Sequence, residues 1–306
     1  MPANYMRTAL LLAAMTALFV VVGGLLGGQT GAVLALGFAA LTNVIAWWNS
    51  DSMALAAADA QEVDARSAPD LMRLVSELAT RAGLPMPRVY IVESDQPNAF
   101  ATGRDPQNAA VAVNTGLMQI LTREELAGVI AHELAHIKNR DTLTMTVTAT
   151  LAGAISAIAN FGLFFGQRRE GPGPIASIAI AILAPIAAMI VQMAVSRSRE
   201  YEADRMGAMI CGNPHWLANA LVKISGGVAA VPDANAEAHP AMAHMYIMNP
   251  LAGSGMDNLF STHPNVENRV AALQQLAQQM GMTRPQGSFL SGGGISQASR
   301  GPWGRR

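Results

Sequence analysis

Cysteine is almost absent from this chain. Cys211 stands alone, which excludes an internal disulfide and any cysteine-built zinc cluster, and is compatible with a reducing compartment. Charge is scarce too. Only 13% of the 306 residues are Asp, Glu, Lys or Arg and the formal net charge is -1. Contact with a phosphate backbone needs clustered Lys and Arg, so nucleic acid is not expected as a partner. There is no phosphate-binding glycine loop, and no internal repeat beyond a duplicated pair of apolar runs. What is abundant is apolar: 51% of the residues are hydrophobic and the mean hydropathy is +0.26, a balance that leans towards the membrane.

The apolar residues are gathered into runs. Residues 8–26 form an uncharged stretch close to the ~20 residues that a helix needs to cross the hydrocarbon core. After the break "GGQTG", residues 32–48 form a second one, ending in the pair Trp47 and Trp48, which suits a membrane interface. Arg7 followed by an apolar stretch is also how a cleaved signal peptide begins, but a second apolar run following at once favours a hairpin. Residues 142–165 and 174–195 lack charge entirely and read as a second hairpin, with Pro185 expected to kink its second arm. The threonines of "TLTMTVTAT" leave a pair of buried core helices as the alternative. Four spans return both ends to one side. Lys138, Arg140, Arg197 and Arg199 flank the second hairpin on the domain side and favour a cytoplasmic domain, against Arg168 and Arg169 in the opposite loop.

Between the hairpins lies a soluble unit. Leu71, Leu74, Val75 and Leu78 recur at helical spacing ahead of the stop signals Gly83 and Pro85. "RVYIVES" has the branched and aromatic content of a strand, and "NAAVAVNTGLM" alternates with the two-residue period of another. Then Thr122, with Glu125 three residues on, makes a capping-box pair that opens a long helix.

That helix contains "AHELAHIKNRD". His132 and His136, at positions i and i+4, project from one face and can both present a ring nitrogen to a single metal ion. Glu133 sits beside them without being a ligand, where it can act as a general base towards a metal-activated water. Catalytic zinc takes three protein ligands and leaves a fourth position open, so a third ligand is needed from elsewhere. "SRSREYEADRMGA" offers Glu200 and Asp204 on one helical face, with Glu202 pointing away. Glu200 could complete the site and Asp204 could hold a ligating histidine in one tautomer, although the spacing alone also fits a solvated charged face.

"HELAH", two apolar segments and then "SRSREYEAD" together resemble the HtpX-type integral-membrane zinc endopeptidases, relatives of the CAAX prenyl proteases, over most of the chain up to about Leu273. The resemblance implies one zinc ion per chain, held by His132, His136 and Glu200, with Glu133 catalytic and Asp204 the supporting aspartate. "STHPNVENRVAAL" resembles a further element of that family, making His263 a second catalytic candidate that steadies developing oxyanion charge and Arg269 a structural partner of Asp204. The expected fold is α+β and mainly helical: a zincin-like catalytic domain with a small sheet, combined with four transmembrane helices in two hairpins.

This divides the chain into a hairpin at 1–48, a first catalytic part with the histidine helix at 49–141, a second hairpin at 142–195, a second catalytic part at 196–283 and a disordered tail at 284–306. Residues 226–258, without a clear period, read as a mobile loop in which His239 and His244 are not needed as ligands.

An endopeptidase must hold its substrate extended. Ala109, Val111 and Val113 of the "NAAVAV" strand are the candidates for main-chain pairing with it if that strand is an edge, and "NAFATG" resembles the family's substrate-side loop while also fitting a plain strand connection. Expected partners are the lipid bilayer and unfolded or membrane-protein polypeptides. The expected role is quality control of misfolded or damaged membrane proteins at the cytoplasmic face of a bacterial inner membrane. Two other readings share these residues: prenyl-protein processing, for which four spans are few, and a zinc scaffold, in which Glu133 would have no use.

Overall fold

The structure, a computed structural model, describes residues 3–148, 197–230, 247 and 264–282. The N-terminal hairpin is present. One helical stretch, Ala3–Ala57 (α1), reverses at Gly27 and Gly28. Gly28 has φ 58° and ψ -146°, a backbone that a side chain would strain, which is why the chain turns at the head of "GGQTG". The two arms lie antiparallel. Phe19 meets Phe38 edge to face at 5.7 Å, and Asn43 Nδ2 donates to Thr16 Oγ1 at 2.9 Å.

The second arm outruns the expected end at Trp48 and continues to Ala57. Within it, Gly27–Asn49 has a mean hydropathy of 1.6 with 11% of its most apolar window buried, and among the described helices it is the one long and apolar enough to cross a membrane. Val33, Leu34, Leu41, Val44 and Trp48 are exposed along it. The first arm offers only the shorter apolar stretch Thr8–Val21. Of the second hairpin, residues 149–195 lie outside the described residues, so four spans are not established. The described part, a helical segment over 141–148, is buried against α1 through paired hydroxyls of Thr8 and Thr144, 2.8 Å apart.

A four-stranded mixed sheet holds β1 (Gln61–Val63), β2 (Arg88–Val92), β3 (Ala99–Gly103) and β4 (Ala109–Asn114) in the order β1-β2-β4-β3. Two of these strands are the expected ones. β1 is too short to show a period, and "NAFATG" turns out to be a strand in its own right. β4 runs parallel to β2 and antiparallel to β3, so it lies inside the sheet. This corrects the assignment of Ala109, Val111 and Val113 to substrate pairing: both edges of their strand are occupied and their side chains are buried in the main core. The edge on that side is β3.

Period-two alternation in β4 divides its residues between two cores rather than between core and water. Val111 and Val113, with Val89 of β2, face the helices, whereas Ala110 and Ala112, with Tyr90 and Phe100, face Ala54 and Leu55 at the end of α1. The helix that leaves the hairpin therefore packs directly on the sheet. Arg88 adds an ion pair to Asp51 of α1 at 2.7 Å.

On the other face lie α2 (Pro69–Ala82), whose Leu71, Leu74, Val75 and Leu78 are buried as expected, and the short α3 (Thr115–Ile120). α4 (Arg123–Asn139) carries the capping box in full: Thr122 Oγ1 accepts from Glu125 N–H and Glu125 Oε2 from Thr122 N–H. α5 (Arg197–Cys211), α6 (Pro214–Ala230) and α7 (Val266–Gln279) complete the described helices. α6 continues helically to Ala230, so the start of the expected loop at 226–258 is helix. α4 is buried without a break from Glu125 to Ile137, unlike the one-sided helix that surface amphipathicity produces.

Candidate metal centre

Burying a helix all round is costly when it contains two histidines and a glutamate, unless those groups have partners. They do. His132 and His136 stand on one face of α4 with rings nearly perpendicular, and their Nε2 atoms are 3.2 Å apart. Glu200, in the first turn of α5, reaches the same point, with Oε1 3.6 Å from His136 Nε2 and Oε2 3.8 Å from His132 Nε2. Two nitrogens bound at the usual Zn–N length to a tetrahedral ion would be separated by about 3.3 Å. The three side chains, each at most 3% exposed, thus fit one ion with two imidazoles and one carboxylate.

Gly207 makes this approach possible. A Cβ at Gly207 would lie 2.8 Å from both N and Cα of His132, so α5 packs backbone to backbone on the histidine turn of α4. Behind each imidazole stands a carboxylate. Asp204 Oδ1 is 3.0 Å from His132 Nδ1, and Asp141 Oδ2 is 3.3 Å from His136 Nδ1. Asp141 pairs with His136 Nδ1 and Asp204 stands at ion-pair distance from His132 Nδ1, so in each ring Nε2 is the nitrogen turned towards the ion. Asp204 is itself clamped by Arg269, whose Nε and Nη2 donate at 2.8 and 2.7 Å in a fork.

These contacts set the charges. Burial alone would raise the Asp204 carboxyl, but Arg269 and His132 hold it below the usual range. Burial lowers His132. It opposes the proton on His136 too, yet the Asp141 bond and the charges of Glu200 and Glu133 raise that ring to about 9. Glu133, buried beside the ligands, is pushed up to about 7, chiefly by desolvation.

A model of peptidase family M48 matches residues 65–277. The chain belongs to peptidase family M48. The family is one of metallopeptidases, and this chain's ligand cluster is of the kind that zinc takes there. The crystal structure of S. mikatae Ste24p is similar in fold, with a TM-score of 0.50 at 17% identity over 89% of this chain; the chain spans 66% of the length of that protein.

Within this M48 domain the expected residues His132, Glu133, His136, Glu200, Asp204 and Arg269 all converge, and Glu202 is exposed as expected. His263, His239 and His244 lie outside the described residues. Three participants escaped sequence reasoning. Asp141 could have been found as an acid just past the helix that carries His136. Gly207 could have been found as a glycine in the middle of a helix, where it costs stability unless packing requires it. Ile247, whose main chain bonds to Arg269 and to Asn98, carries no local signal at all.

Proposed function

We propose that this M48 peptidase is a membrane-anchored zinc endopeptidase in which His132, His136 and Glu200 hold the ion and Glu133 is the general base. The observation that carries the reading is the convergence of three buried ligands beside a fourth buried carboxyl that ligates nothing and is poised near neutrality. When bound, zinc supplies positive charge that acidifies a water and polarises a carbonyl. Beside the ion Glu133 would take a proton from the attacking water and return it to the leaving amine. Asp204 and Asp141 keep the histidines in the ligating tautomer, and Arg269 keeps Asp204 ionised.

Substrate is held extended along the outer edge of β3, in place of the β4 residues, and the pairing is main-chain and so largely independent of sequence. Such a reader suits unfolded stretches of membrane proteins and a role in quality control. The exposed apolar arm of α1 supports bilayer anchoring, and Arg104 over the Trp48 ring at 5.4 Å suits the interface level. The basic residues Lys138, Arg140 and Arg199 beside the domain favour a cytoplasmic site at a bacterial inner membrane.

The test is proteolysis of casein by detergent-purified protein. Glu133→Gln is expected to keep one zinc per chain and lose cleavage, and chelation is expected to stop the wild type until zinc is returned. Normal cleavage by Glu133→Gln would remove the proposed base. Preference for a prenylated CAAX peptide over casein would move the substrate class.

A further inference from the structure

The edge strand β3 is tied to the metal centre at both of its ends. Asn114 N–H donates to Asn98 O at 2.9 Å, so in the alternating antiparallel ladder the main-chain groups of Ala99, Ala101 and Gly103 point away from β4. The Ala101 main chain lies beside the Glu133 carboxyl and favours its charged form. At the far end Thr142 Oγ1 donates to Gly103 O at 2.9 Å, and the hydroxyls of Thr102 and Thr146 meet at 3.0 Å. Thr142 directly follows Asp141, the carboxylate behind His136. At the near end Asn98 Oδ1 accepts from Ile247 N–H at 3.0 Å. Ile247 O accepts from Arg269 Nη1 at 3.1 Å, and that guanidinium clamps the carboxylate behind His132.

None of these tethers contributes to strand pairing. Gly103 O faces away from the ladder, and Asn98 serves the ladder with its main chain while its side chain goes elsewhere. Asn98, Thr102, Thr142, Thr146 and Arg269 are all buried. Buried polar groups held by specific partners specify one arrangement. What they specify here is where β3 stands against α4.

We infer that Asn98 and Thr142 are positioning residues. They hold β3 where a polypeptide paired along Ala99 and Ala101 lays a carbonyl over the three ligands, and Thr142, by occupying Gly103 O, ends that pairing. The inference rests on the endopeptidase reading above.

The experiment compares Thr142→Val, Asn98→Ala and Thr142→Ser in the detergent-purified full chain, with zinc content measured alongside. Two peptides of one cleavable sequence serve as probes, one of them N-methylated at the amide that pairs with the strand. A displacement of the strand of about 1 Å can cost on the order of a hundredfold. Thr142→Val and Asn98→Ala are expected to keep one zinc per chain and lose about ten- to a hundredfold in kcat/KM on the plain peptide, with a smaller loss on the N-methylated one, whose pairing is already broken. Thr142→Ser, which keeps the hydroxyl, is expected to restore most of the activity. Unchanged kcat/KM, equal loss on both peptides, or loss of zinc would overturn the inference while leaving the endopeptidase reading standing. A wild type that neither binds zinc nor cleaves would overturn both.

Discussion

Replacing Arg269 by Met removes a cation paired with the buried carboxylates Asp204 and Glu200 while keeping an apolar side chain in its place. Arg269 is 0% exposed, makes two charge-assisted bonds to Asp204 at 2.7 and 2.8 Å and a third to Ile247 O at 3.1 Å. Stranding a buried ionic partner costs about 3–5 kcal/mol. At roughly 2–4 °C per kcal/mol for a domain of this size, the thermal midpoint of the metal-free protein should fall by about 6–20 °C. Without the guanidinium, Asp204 loses the charge that keeps it ionised and its grip on His132, so zinc affinity should drop about 10–100-fold. Asp204→Asn on that background strands no charge, so the double variant should cost roughly 1–3 kcal/mol less than the sum of the singles. Midpoints from thermal melts and a chelator competition for zinc supply every quantity. A shift below about 2 °C for Arg269→Met, or strictly additive variants, would refute the clamp.

Two further perturbations probe the same centre. Gly207→Ala adds a methyl where the backbone of His132 leaves no space, so α5 must shift and carry Glu200 with it; a loss of about 1–3 kcal/mol and weakened zinc binding are expected, against the gain that alanine brings to an open helix. A melt or zinc titration equal to wild type would contradict this packing. In the metal-free protein His136 is raised from 6.5 to about 9, so its contribution to stability is complete below pH 6.5 and is lost as pH rises through 9. Glu133, raised from 4.5 to about 7, adds a penalty that grows as pH rises from 4.5 to about 7, in the same direction. The metal-free midpoint should therefore fall between pH 6 and 9, whereas zinc binding at pH 7.5 should release protons, read by calorimetry in buffers of different ionisation enthalpy.

Much of the site was legible because its signals are local. The four-residue spacing of His132 and His136 and that of Glu200 and Asp204 report a shared helical face, and the capping box at Thr122 reports where the first of those helices begins. Period two in β4 correctly announced a strand, but periodicity describes a face and is silent about neighbours, so that strand read as a possible edge when it lies between β2 and β3. The true edge, β3, is five residues long and all buried, with no alternation to reveal it. Asp141 and Ile247 act through partners that only the fold brings near. The end of α1 was misplaced because Ala54 and Leu55 belong to the sheet's second core, which the hydropathy of a spanning helix does not anticipate.

The central claim is a single zinc ion held by two imidazoles and one carboxylate, with a position left for water. X-ray absorption at the zinc edge of the purified protein tests it most directly. The account predicts one zinc per chain with nitrogen and oxygen neighbours at about 2.0–2.2 Å, two of them imidazole, and no sulfur near 2.3 Å; Glu200→Ala should strip or reorganise that shell. A sulfur neighbour, a closed shell of protein ligands, or a spectrum unchanged by Glu200→Ala would contradict it.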